Sequence, residues 1–212
     1  ITFPSGTAQI TIAGDAGISG LLAVTNEASG VHHVFECPVS FAANAEADIS
    51  CGSGTYVKFA GGMTAYTLRQ TGSEAYISGD ITLTKNIANW AANEEIDLLH
   101  LCAGATLTIP QSVTVNGTAN FKLDSGTRLN INGDITVKND KGAFSSLNNG
   151  VIAVSGKAIN DQSGACTAFF AASASSGIIK ASGLLNKGGR FVPNAVNGGG
   201  TWVVGADGIS KS

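Results

Sequence analysis

The side chains able to do chemistry in this chain are few and spread out. The acids that stand near glycine corners or outside any regular pattern are Asp80, Asp97, Asp124, Asp134 and the adjacent pair Glu94 and Glu95. Hydrolysis of a glycoside asks for two carboxyl groups about 5 to 9 Å apart, and no spacing here marks such a pair. Asp80 and Asp134 each follow glycine in the phrase Gly-Asp-Ile-Thr. In such a place an aspartate side chain bonds nearby backbone N–H groups, so both are expected to hold equivalent corners. His32 and His33 are neighbours in a strand pattern and point to opposite faces, so they do not share a metal. His32 and Glu36 make only two ligands on one face, where a closed site takes four. His100, between the inward Leu99 and Leu101, is expected in solvent. Cys37 and Cys51 are close enough in sequence to form a disulfide, given a suitable Cα separation. Cys102 and Cys166 are expected as small buried residues. No Cys-x-x-Cys pair, P-loop, dinucleotide fingerprint or served nucleophile elbow is present. The sequence therefore predicts no catalytic residue, no metal and no cofactor.

The elements that must position these groups announce themselves through a repeat. Leu99, Leu101, Leu107, Ile109, Val113 and Val115 recur 22 residues later as Phe121, Leu123, Leu129, Ile131, Ile135 and Val137. The apolar residues come in alternating pairs, the period of a strand with one buried face. Each copy is three short strands and three turns, one coil of a β-solenoid that gains a core only by stacking on its neighbours. Dividing 212 residues by 22 predicts a single domain over 1–212, an all-β, right-handed parallel β-helix of nine or ten coils. An antiparallel sandwich is the runner-up, because short alternating runs with glycine turns also suit it. Asn86 to Glu95 breaks the alternation and is expected as an irregular excursion, with Trp90, Glu94, Glu95 and Asp97 as the contact patch for a ligand. Tyr56, Tyr66 and Tyr76 fall ten residues apart. That is not the coil spacing, so one stacked column of them requires irregular early coils.

Composition narrows the class. Charged residues make up 13% of the chain and the net charge is -3, with 12 lysines and arginines scattered along it. A nucleic acid partner needs a basic stripe, and none is present. No apolar run approaches the length of a membrane span, so insertion by this segment is not expected. Neither end reads as a cap, and a bare coil exposes unpaired backbone groups. The chain is therefore expected to be a segment of a longer repetitive protein, with end-to-end or lateral self-association as a further expectation.

The run Val34-Phe35-Glu36-Cys37-Pro38-Val39-Ser40-Phe41 is followed by Gly54-Thr55-Tyr56-Val57-Lys58-Phe59-Ala60-Gly61-Gly62. Then come Thr67-Leu68-Arg69-Gln70-Thr71-Gly72 and Ile77-Ser78-Gly79. These phrases, within residues 30–85, resemble the passenger repeats of bacterial autotransporter adhesins. The resemblance implies an exported β-helix on the bacterial outer surface or in the extracellular space, without catalytic residues. Its implied partner is a host or bacterial surface glycan or protein. The alternative of a different class is a carbohydrate-active β-helix enzyme or glycan-binding module. That alternative requires a lateral cleft lined by two close carboxylates, or by a base beside an acid. A pure spacer, binding nothing along its length, is the third reading.

Overall fold

The structure is a computed structural model. It describes residues 32–41, 44–51, 55–71, 74–92, 94, 96–116, 120–138, 149–161, 176–188 and 200–212, and the backbone alone of 2–3, 11–12, 16–18, 22–26, 119, 166–170 and 190–194. Twenty-one strands and one short helix lie among these residues, and every strand pairing is parallel. That excludes the sandwich, whose neighbouring strands would run antiparallel. The chain is a β-solenoid in which each turn crosses three walls.

The repeat sets the register. Leu99, Leu101, Leu107, Ile109, Val113 and Val115 are the Cα partners of Phe121, Leu123, Leu129, Ile131, Ile135 and Val137, and all twelve are buried. The first wall stacks Val57, Ile77, Leu101 and Leu123. The second stacks Val39, Met63, Ile81, Leu107, Leu129, Ile152 and Ile179. The third carries Ala47 over Leu68, then Val113, Ile135 and Ala158. Each fully buried aliphatic side chain contributes about 1.5–3 kcal/mol, and none of these columns exists within a single turn.

From Val39 to Ile179 the second wall has seven layers, about six turns around the buried core of the described residues and fewer than the nine or ten expected, with Ala16 and Trp202 paired at its two ends. A uniform 22-residue coil does not hold. The step from Met63 to Ile81 is short and the steps from Ile81 to Leu107 and Ile152 to Ile179 are long, because corners absorb insertions without disturbing inward side chains. Segments of two successive turns supply a second sheet, in which Cys166–Phe170 pairs with Arg190–Asn194.

The two Gly-Asp-Ile phrases are not equivalent corners. Ile81 belongs to the second wall, stacked on Leu107, whereas Ile135 belongs to the third, stacked on Val113. Gly79 has φ 103° inside the strand Ala75–Ile87, while Gly133 has an ordinary negative-φ backbone. Asp134 does hold a corner as expected, its Oδ1 accepting from the Lys157 N–H at 2.7 Å.

The excursion is a five-residue helix, Ala88–Ala92, that takes the place of a strand in the third wall between Thr67–Gln70 and Val113–Val115. Alanine and asparagine there lack the branched side chains a strand favours. Asn89 keeps the ladder closed. Its side-chain oxygen accepts from the Gln70 N–H at 2.9 Å and its amide donates to the Gln70 carbonyl at 3.0 Å, as a strand residue would. Gln70 in turn accepts the Asp97 N–H on Oε1 at 3.0 Å.

Candidate functional site

Trp90 does not join Glu94 and Asp97 at the surface as expected. Trp90 is 3% exposed and packs its ring 5.8 Å from that of Phe121, inside the core. The helix that carries it replaces a strand, so the bulky residue of the turn must point inward. Glu94 is exposed but pairs with Arg69, Asp97 is exposed, and Glu95 lies outside the described residues. Cys37 and Cys51 are buried thiols with no disulfide between them. Cys37 precedes the second-wall strand Val39–Phe41 and Cys51 ends the third-wall strand Glu46–Cys51, so the two occupy different parts of the turn.

Two flanks gather polar chemistry instead. On the outside of the first wall, successive turns place His32, Tyr56, Tyr76, His100 and Lys122 above one another. The His32 and Tyr56 rings stack with centroids 3.8 Å apart and planes at 10°. Tyr76 and His100 meet at 4.9 Å in a tilted arrangement. Tyr56 and Tyr76 share this column because the turn between them is short, and Tyr66 stands on another corner, under the Lys85 ammonium. Along the column runs a cleft of about 300 Å³, lined by His32, Tyr56, Tyr76 and His100 with Thr55, Cys102, Ala103 and Asp124.

At the lower end of that cleft His100 is 7% exposed rather than solvated. It does face outward, but the Tyr76 ring on the preceding turn and Asp124 on the following one cover it. Its Nε2 lies 2.8 Å from Asp124 Oδ1, and its Nδ1 is buried with no hydrogen-bond partner among the described residues. Burial lowers the His100 pKa, only partly offset by the Asp124 hydrogen bond and charge, so the ring is neutral at neutral pH. Cys102 is buried, as expected, and burial pushes its thiol up to about 12. A His, a Cys and an Asp thus converge where the sequence predicted no metal. The signal was in the repeat itself. A 22-residue step sets Cys102 over Asp124, and two residues along a strand return to the same face.

The second flank lies on the third wall. Glu46 and Asp48, two residues apart on one strand face, meet Arg69 from the next turn: Arg69 Nε donates to Glu46 Oε1 at 2.9 Å and lies 3.9 Å from Asp48 Oδ1. Thr67 donates to Glu46 at 3.0 Å, and Glu94 closes the cluster through Arg69. An adjoining cleft of about 320 Å³ is lined by Glu46, Arg69, Tyr66 and Lys85 among others. Burial acts to raise the Glu46 pKa, but hydrogen bonds from Arg69 and Thr67 and the Arg69 charge outweigh it and hold the carboxyl below its ordinary range. Asp48 goes the other way. Burial first, then the Glu46 charge, push it up to about 6.

An acid that holds its proton more tightly folded than unfolded stabilises the fold while protonated. Stability from Asp48 is therefore lost as pH rises from about 4 through about 6. Asp48→Asn removes that loss, so the variant should melt above the wild type at pH 7, with the gap closing toward pH 4. Thermal unfolding across that range checks it, and a gap independent of pH would place the slope on other groups.

Comparison with protein-family models, with curated proteins and with solved structures gives no significant match, so what this chain does is argued from its own two flanks.

Proposed function

We propose that this chain is a non-enzymatic, adhesive β-solenoid of a bacterial surface or secreted protein, and that its first-wall cleft binds a surface glycan. The aromatic ladder supports this reading. Sugars stack their apolar faces on aromatic rings, and Tyr56 and Tyr76 are half-buried rings on consecutive turns at one cleft. A solenoid fixes such rings on rigid strands, so the ladder is ordered before a ligand arrives. Export and surface display rest on the resemblance of residues 30–85 to autotransporter passenger repeats. Self-association is consistent with the strand Thr201–Lys211, which turns Ile209 out at 76% exposure.

Glycan-array and cell-binding assays test the reading. Tyr76→Ala and Tyr56→Ala should each weaken binding about tenfold, the size of one lost stacking contact, without lowering the melting temperature by more than a few degrees. Binding unchanged in both variants defeats it, and a wild type that binds nothing on array or cells leaves the spacer reading in its place.

One observation favours a second reading, a carbohydrate-active enzyme. Glu46 and Asp48 are carboxyls in hydrogen-bond contact, closer than a hydrolase pair, with opposite pKa displacements beside the Arg69 cation, and such a pair divides naturally into an ionised and a protonated partner. Release of sugars from a polysaccharide panel, abolished by Glu46→Gln, would establish it in place of the adhesin.

A further inference from the structure

We infer that His100, Cys102 and Asp124 hold a divalent cation of the zinc class at the lower end of the first-wall cleft. A ring nitrogen of His100, Sγ of Cys102 and a carboxylate oxygen of Asp124 lie within 4.8 Å of one another. The donor set is nitrogen, sulfur and oxygen. Calcium and magnesium take oxygen ligands almost throughout, whereas zinc and its close analogue cobalt accept all three. Three protein ligands with the remaining positions toward a cleft is the pattern of an open zinc site.

The three groups are placed by backbone that has little freedom. The Cys102 N–H donates to the Ile77 carbonyl at 2.9 Å and the Asp124 N–H to the Leu101 carbonyl at 3.0 Å, so the ends of three consecutive turns are tied together at this point. Tyr76 covers the His100 ring from the turn above. Ligands on locked strands need little ordering when the cation arrives.

The imidazole also has capacity to spare. Nδ1 of His100 has no hydrogen-bond partner among the described residues, an expensive condition for a buried nitrogen. Nε2 is joined to Asp124 Oδ1 by one exchangeable proton at 2.8 Å. When the cation takes Nε2, that proton moves to the vacant Nδ1 and the Cys102 thiol releases its own to solvent, and Nε2 and Oδ1 part to about 3.3 Å, the separation of two ligands around tetrahedral zinc. Asp124, whose side chain is 35% exposed, can give that half ångström. A chelating site on the flank of a solenoid would also tie neighbouring turns together, as a structural metal does. None of this depends on the cleft taking a sugar.

The test uses the full chain after removal of metal by a chelator. Titration with cobalt(II) should produce one equivalent of a thiolate-to-cobalt charge-transfer band in the near ultraviolet, and zinc should displace it. Cys102→Ser should abolish the band. Asp124→Asn, at a half-exposed position that keeps the fold, should keep the band and weaken cobalt binding tenfold or more. Cys37→Ser should change neither. Absence of the band in the wild type, equal affinity in Asp124→Asn, or loss of the band in Cys37→Ser would each overturn the assignment.

Discussion

Replacing Gly79 with alanine should unfold the middle of the solenoid, with a loss on the order of 4 kcal/mol or more. A Cβ at this position meets the Phe59 carbonyl oxygen at 2.2 Å and its carbon at 2.7 Å. Both are backbone atoms of the preceding turn, paired in register with Gly79, and cannot rotate away. The backbone there also has φ 103°, a region that glycine enters freely and an L residue does not. Gly104→Ala separates the two causes. Gly104 has φ 81° but nothing within 4 Å of its Cβ, so alanine there should cost only the about 1–2 kcal/mol of a left-handed backbone. Chemical denaturation of both variants checks the contrast. Equal losses would mean that the close approach of turns at Phe59 is not what requires glycine.

The same close approach explains what could be read from the residues and what could not. Inward positions are read easily, because a stacked column demands an apolar residue on every turn. Leu107 over Leu129 and Val113 over Ile135 follow from spacing alone. Corners obey no such rule. They lengthen and shorten freely, so the 22-residue period that holds from Leu99 to Val137 fails elsewhere, and with it the coil count, the equivalence of the Gly-Asp-Ile phrases and the separation of Tyr56 from Tyr76. Outward residues are harder again. Alternation correctly turned His100 away from the core, but whether an outward side chain meets water depends on what the turns above and below present. Here they present Tyr76 and Asp124. The convergence of His100, Cys102 and Asp124 was still within reach of the repeat, since Cys102 and Asp124 occupy the same place in consecutive copies. Glu46, Asp48 and Arg69 were not, because they come together across a turn with a different spacing.

Trp90 lies in the core rather than at the surface where the break in alternation suggested it, and its substitution has the second large effect. The break in alternation at residues 86–95 does mark a helix. A helix that leaves the rod would offer its tryptophan to a ligand, but one that substitutes for a strand must refill the core position the strand vacated. Trp90 does so against Phe121, while Asn89 rebuilds the missing backbone pairing with Gln70. Trp90→Ala should therefore cost about 3–5 kcal/mol, the range for an aromatic side chain deleted from a packed core. It should leave the first-wall cleft intact in the molecules that remain folded. Trp90→Phe isolates the cause, because the indole Nε1 is buried without a hydrogen-bond partner among the described residues. Phenylalanine keeps most of the ring contact and removes a donor that gains nothing from burial, so it should recover most of the lost stability. Urea unfolding of the two variants, read beside glycan binding of the folded fraction, distinguishes a core plug from a contact residue. A stable Trp90→Ala chain that has lost only binding would return the tryptophan to the surface and the excursion to the site.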